Sequence, residues 1–146
     1  MADFNDVPAN RHLRFRLVER SGTRTTAHAV VAMDAAAEFE QETGVIHGGI
    51  LTALADTAAV YCFMPELGAN EAMIGVELKI NFLRPALPGQ GDVTARAGVL
   101  RRGRRLGVCE VDVAQGETHV ARGLFTYLFA PREAEAAAER AARPPR

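Results

Sequence analysis

Near the start of the chain, apolar and polar side chains alternate. Leu13, Phe15 and Leu17 are interleaved with Arg14 and Arg16, and beyond Ser21-Gly22 the stretch 25–31 is rich in β-branched residues. A period of two broken by a Ser-Gly turn predicts a hairpin of two strands. From 33 to 42 the chain becomes Ala/Glu-rich without a good apolar face, which predicts a connection holding one or two helical turns. The stretch Gly49–Met64 then carries no charge except Asp56 and stops at Pro65. This is the pattern of one long helix that is apolar nearly all round, and such a helix has to be wrapped by other elements. After it, Val76, Leu78, Ile80 and Phe82 alternate with Glu77, Lys79 and Asn81 as far as Arg84-Pro85, a strand. Further strands are predicted over 93–100, 106–113 and 119–129, separated by turns at 88–91, 102–103 and 115–117. Two strands, a buried helix and four more strands make an α+β domain, with one long central helix wrapped by a curved antiparallel sheet of about six strands. The domain is expected to span 13–130, after a short N-terminal segment over 1–12. The tail over 131–146 has helix-forming residues but no large apolar side chain, so disorder is expected there.

Composition narrows the function. The 146 residues are 48% hydrophobic and 24% charged, which suits one domain with its own core and leaves no room for a second. Lys+Arg 17 against Asp+Glu 18 gives a net charge of -1. That balance argues against wholesale electrostatic binding of nucleic acid or of an anionic membrane. The opening Met1–Asp6 is acidic and no apolar run follows it, so neither a secretory signal nor a membrane span is expected, and the expected location is cytoplasmic. Cys62 and Cys109 sit in apolar stretches with no ligand spacing around them, and the 4 histidines are scattered. Plain buried thiols and no metal site are expected.

The residue that resists a purely structural explanation is Asp56, a carboxylate in mid-helix with no basic residue one turn away. Burial without a partner is costly and raises a carboxyl pKa, which is how a general base or nucleophile is prepared. The alternatives are a solvent slot at Asp56 or a pair with an arginine from a distant strand. Just before the helix stand His47-Gly48-Gly49. Two glycines at a helix start let a ligand approach unpaired N–H groups that favour negative charge, which makes the Gly48 N–H a candidate oxyanion donor. The plainer alternative is a flexible turn with His47 bonded to loop backbone. The nine-residue offset between His47 and Asp56 turns an α-helix through about 900° and advances it roughly 13 Å. The two residues therefore lie on opposite faces, and a site using both has to be assembled between two subunits. Arg101-Arg102-Gly103-Arg104-Arg105 at a predicted turn is either a solvated run or a local anion site for the phosphates of a nucleotide-bearing small molecule. No nucleic-acid-binding motif accompanies it.

The stretch Gly44-Val45-Ile46-His47-Gly48-Gly49-Ile50-Leu51-Thr52-Ala53-Leu54-Ala55-Asp56 is followed by Val76-Glu77-Leu78-Lys79-Ile80-Asn81-Phe82-Leu83-Arg84-Pro85, the turn Gly103-Arg104-Arg105 and the strand Ala121-Arg122-Gly123-Leu124-Phe125-Thr126. In this order and spacing the chain resembles the hotdog-fold acyl-CoA thioesterases. Within them it is similar to the phenylacetic acid degradation (PaaI-like) subgroup and to one class of 4-hydroxybenzoyl-CoA thioesterase, over about 13–129. The resemblance implies that Asp56 is the catalytic carboxylate, that Gly48 polarises the thioester carbonyl, that His47 shapes its loop and that Gln41 orients the thioester or the water. It further implies that Gly49, Val60, Phe63 and Asn81 bind substrate and that Arg102, Gly103 and Arg104 face the CoA phosphates. Two departures stand out: Gly75 occupies a position where some relatives carry Ser or Thr, and the carboxylate is Asp where other branches have Glu.

The resulting expectation is hydrolysis of an aryl- or medium-chain acyl-CoA to a free acid and CoA in a homodimer, with homotetramers common in the family and no cofactor needed. One competing expectation is a non-catalytic hotdog protein that binds acyl-CoA as a sensor or regulatory subunit; Asp56 speaks against it, because binding alone gains nothing from a buried carboxylate. Another is a hotdog hydratase or dehydratase, for which the helix lacks an Asp-then-His pattern.

Overall fold

The computed structural model describes residues 3–133. Its sheet has six strands: β1 (Arg16–Ser21), β2 (His28–Met33), β3 (Glu71–Phe82), β4 (Val93–Arg102), β5 (Leu106–Gln115) and β6 (Thr118–Pro131). They lie in the order β1-β2-β4-β5-β6-β3, antiparallel throughout. The short helix α1 (Pro8–His12) precedes the sheet, and the long helix α2 (Gly48–Phe63) lies between β2 and β3 in the chain. This is the α+β hotdog arrangement expected from the sequence.

The elements depart from the sequence pattern where backbone geometry interrupts the alternation. The first strand begins at Arg16 and not at Leu13, because Arg14 takes a left-handed φ of 54° that turns the chain. Leu13 and Phe15 still pack on the core from that turn. The strand after the helix begins at Glu71, ahead of the alternating run, and a bulge between Gly75 and Glu77 displaces Val76 from the ladder. A bulge inserts one residue and resets which side chains face inward, so the alternation is legible only beyond it. Upstream of Leu13, Phe4 is buried with its ring edge-on to Tyr61 at 4.7 Å. The tail expected over 131–146 lies outside the described residues from 134 onward.

Packing of α2 organises the interior. Leu51, Leu54, Ala55, Ala58, Ala59, Tyr61, Cys62 and Phe63 are buried on it. The small residues Ala55, Ala58 and Ala59 let the helix approach β2 and β4, whose Ala29, Val31, Ala95 and Ala97 are also fully buried. At a close-packed interface of this kind, missing volume is felt directly. On the less covered side, Thr52 and Thr57 donate their hydroxyls to the carbonyls of Gly48 and Ala53 at 2.8 and 2.9 Å, so neither competes for an outside partner. The helix lies over β2, β4 and β5. The last strand in the order, β3, keeps Val76, Leu78 and Phe82 exposed, together with the neighbouring Leu83. Among the described residues no helix is long and apolar enough to cross a membrane.

Two measurements test this interior. Leu54 is fully buried, so Leu54→Ala should cost about 2–5 kcal/mol in urea unfolding at fixed protein concentration, by lost burial and by the cavity left behind. Burial pushes the Cys62 thiol up to about 11 and Cys109 higher still. Both should therefore stay protonated and inert to a disulfide reagent at about pH 8, near the ordinary thiol pKa. Thiol titration should count none in the folded protein and both in denaturant, and rapid native labelling would contradict this packing.

Candidate active site

Asp56 lies two turns into α2, at the edge of the surface the sheet covers, and is partly buried. Its Oδ1 accepts a 2.7 Å hydrogen bond from the hydroxyl of Tyr127 on β6. Neither of the alternatives weighed for a buried carboxylate describes this arrangement fully: Asp56 does border a cleft, and its partner is a phenol, not an arginine. Burial, the Asp56 hydrogen bond and the Asp56 charge all push ionisation of Tyr127 upward, so its hydroxyl remains a donor. The cleft beside them is about 340 Å³, with Val60, Met64, Leu67 and Met73 supplying apolar walls and Glu71 and Arg132 polar ones.

The helix start forms a second centre. His47 caps α2, and its Nδ1 accepts the Gly49 N–H at 2.9 Å, which leaves the other ring nitrogen to carry the proton of the neutral imidazole. The His47 N–H is itself held by the Phe39 carbonyl at 2.8 Å. Among the described residues no hydrogen bond uses the Gly48 N–H. The two glycines face different neighbours. A Cβ on Gly49 would come within 3.0 Å of the His47 ring, and one on Gly48 would come within 3.0 Å of Phe82. Gly48, Gln41, Leu51, Phe82 and Arg84 line a cleft of about 460 Å³. Gln41 is fixed by its backbone, with its N–H on Val45 and its carbonyl taking the Gly44 N–H, while its side-chain amide donates to Thr43.

The chain thus brings Gln41 and Gly48 to one cleft, with the His47–Gly49 cap beside Gly48, and Asp56 and Val60 to another. The other expected residues are dispersed. Phe63 is buried behind Tyr127, edge-on to it at 5.7 Å. Asn81 lies on the far side of the sheet from α2, in a groove with Lys79, Glu110 and Arg122. Arg102, expected against phosphates, is folded inward. Its side chain is 2% exposed, its guanidinium lies 3.2 Å from the Phe129 ring centroid, and it pairs with Glu71 at 2.9 Å. A guanidinium stacked and paired in this way has little surface left for a ligand. The Gly103 carbonyl accepts from Arg24 and Arg102, while Arg104 and Arg105 are exposed and border a groove with Asn70, Glu71 and Phe129. Among the described residues no cluster of His, Cys, Asp and Glu has metal-ligand geometry.

No local sequence signal marks Tyr127 or Phe82 as a site residue. Tyr127 stands one residue past the closing strand motif and pairs in the ladder with Gly75. A Cβ at Gly75 would meet the Tyr127 ring at 3.6 Å, ordinary van der Waals contact, so the two residues are close neighbours in the sheet. In the sequence Phe82 is the last apolar residue of an alternating strand and lies within the stretch 76–85 that carries the family resemblance, without a role of its own.

Comparison with known proteins bears on the family and the fold. The thioesterase superfamily model matches residues 43–121, from the loop before His47 to β6. A Haemophilus influenzae protein named provisionally as an esterase is 35% identical over 77 residues, 53% of this chain and 54% of that one. The chain spans about half the length of the curated relatives it matches. Among solved structures, the TT0310 protein of Thermus thermophilus is 26% identical with a TM-score of 0.74, covering 88% of this chain and 98% of that one. The thioesterase HI1161 of Haemophilus influenzae is 25% identical with a TM-score of 0.74, covering 88% and 86%. The PaaI protein of the E. coli phenylacetic acid degradation operon is 25% identical with a TM-score of 0.73, covering 86% of each chain. The matched stretch carries the helix cap, the apolar helix with Asp56, and β3 to β5, and by it the chain belongs to the thioesterase superfamily.

Proposed function

We propose that the protein is an acyl-CoA thioesterase whose active site is completed between two copies of the chain. The observation that carries this reading is that Asp56 and the free Gly48 N–H open into separate clefts, at opposite ends of the bare strand β3. Met73 and Gly75 border the Asp56 cleft, and Phe82 borders the Gly48 cleft. The strand has an unpaired edge and exposed Val76, Leu78 and Phe82. Such an edge invites pairing with another strand. An antiparallel partner strand turned about the middle of β3, near Leu78, brings the 75 end of one copy beside the 82 end of the other. Each Asp56 then faces the Gly48 and Gln41 of the partner subunit.

In this arrangement the Gly48 N–H, unpaired at the start of α2 and aided by the helix dipole, donates to the thioester oxygen and stabilises the charge that forms there. Asp56 of the partner subunit takes a proton from a water as the water oxygen bonds to the carbonyl carbon. The tetrahedral intermediate then expels the CoA sulfur, which receives that proton from the Asp56 carboxyl. Direct attack by Asp56, followed by hydrolysis of the anhydride, gives the same products. His47 keeps the Gly49 N–H occupied and so sets the loop, while Gln41 orients the thioester or the water. Val60 and the methionines of the Asp56 cleft suit an aryl or medium-length apolar acyl group. The exposed Arg104 and Arg105 border a groove that shares Glu71 with the Asp56 cleft, which supports a path for the nucleotide of CoA.

Thiol release from phenylacetyl-, hydroxybenzoyl-, short- and medium-chain acyl-CoAs tests the reading. Asp56→Ala should lower turnover by about 10²–10⁴-fold while the fold and the oligomeric state remain. Binding of acyl-CoA by the wild type without turnover on any of these would favour an acyl-CoA sensor. Sedimentation equilibrium should find a dimer, or dimers paired into a tetramer, and an active monomer would exclude the shared site. Arg104→Ala should raise KM for acyl-CoA and leave it unchanged for a short thioester lacking the nucleotide. Equal effects on both substrates would remove Arg104 from the CoA path.

A further inference from the structure

We infer that Tyr127 is a positioning residue for the reaction: its hydroxyl holds one oxygen of Asp56 so that the other faces the cleft and the incoming water. This rests on the thioesterase reading and adds to it a residue from β6.

A mid-helix aspartate turns freely about its terminal torsion and presents either oxygen to a ligand. Here that freedom is removed. The Tyr127 hydroxyl lies 2.7 Å from Asp56 Oδ1 and 3.4 Å from the Asp56 backbone carbonyl. A phenol has a single proton, and the shorter contact, to a charged acceptor, is the one that uses it. Oδ1 is therefore committed, which leaves Oδ2 to take the proton of a water in the cleft.

The donor itself is rigid. Tyr127 is 3% exposed. Phe63 packs on its ring in a T-shaped pair at 5.7 Å, and Gly75 is its partner in the ladder. Its ionisation is pushed upward by burial and by Asp56, so it neither takes a proton nor loses one near neutral pH. A buried tyrosine that merely needed its hydroxyl satisfied would be served by any carbonyl, and this one meets a carboxylate. The other carboxylate that lines the cleft, Glu71, is engaged by Arg102. The geometry therefore suits holding Asp56 and not bearing the reaction's proton.

Tyr127→Phe removes the hydroxyl and leaves the ring in place. It should lower kcat by about a hundredfold, with KM and Tm close to wild type. In an Asp56→Asn background the same change should cost nothing further, because the effects of two groups that act as a unit do not multiply. A Tyr127→Phe enzyme within twofold of wild-type kcat, a rise in KM alone, or an undiminished loss in the Asp56→Asn background would each overturn the inference. A second readout is independent of turnover. The buried Tyr127 hydroxyl proton should give a downfield NMR signal that is absent in Tyr127→Phe and displaced in Asp56→Asn. Absence of turnover in the wild type would defeat the thioesterase reading alone. In that case a signal displaced by Asp56→Asn would support the hold on Asp56, and one indifferent to it would overturn it.

Discussion

Burial of α2 against β2, β4 and β5 takes Leu51, Leu54, Ala55, Ala58, Ala59 and Cys62 out of water together, and the sheet has to curve for its inner side chains to reach them. Apolar burial is the largest favourable contribution to folding. With no polar face to turn outward, the helix has no stable position except inside the sheet. The placement of both candidate centres follows from that. The first turn emerges at one cleft with the Gly48 N–H unpaired, and Asp56 emerges at another, where sheet coverage thins.

The same helix explains how a carboxylate survives in an apolar element. Asp56 is not matched by a cation, as an internal ion pair would require. It borders a cleft on one side and receives a neutral phenol on the other. A charge-assisted hydrogen bond offsets part of the cost of desolvation while leaving one oxygen unoccupied. The buried Arg102 is treated differently, with Glu71 as counter-ion and the Phe129 ring as a lid. Two charged groups near one groove are thus settled in opposite ways, one closed off and one left open.

Coverage by the helix also ends before the sheet does. At β3 Leu78 and Phe82 are exposed, and so is Val76 at the bulge beside Gly75. A strand with free edge groups and exposed apolar residues lies between the two clefts. The geometry that separates Gly48 from Asp56 inside one chain therefore also supplies the surface through which a second copy would reunite them.

What the sequence determined by itself is whatever local periodicity and residue chemistry encode. An uncharged run interrupted by Asp56 and ended by Pro65 can only be a buried helix, His47-Gly48-Gly49 can be read as its start, and helical geometry alone separates residue 47 from residue 56. The alternation of Leu78, Ile80 and Phe82 likewise shows a strand. Other features depend on contacts between residues far apart in the chain, and no local pattern records them. Arg102 looks like any other arginine of its cluster until Phe129 and Glu71 close over it. Asn81 and Phe82 are neighbours in sequence, yet the pleat sends one to the outer face and the other onto Gly48. Tyr127 carries no local mark of function, because its role requires β6 to bring its hydroxyl to Asp56 on α2. Backbone periodicity is a property of neighbours in the chain, whereas the partner of a buried polar group is chosen by the packing of the whole sheet, and only the tertiary structure makes that choice.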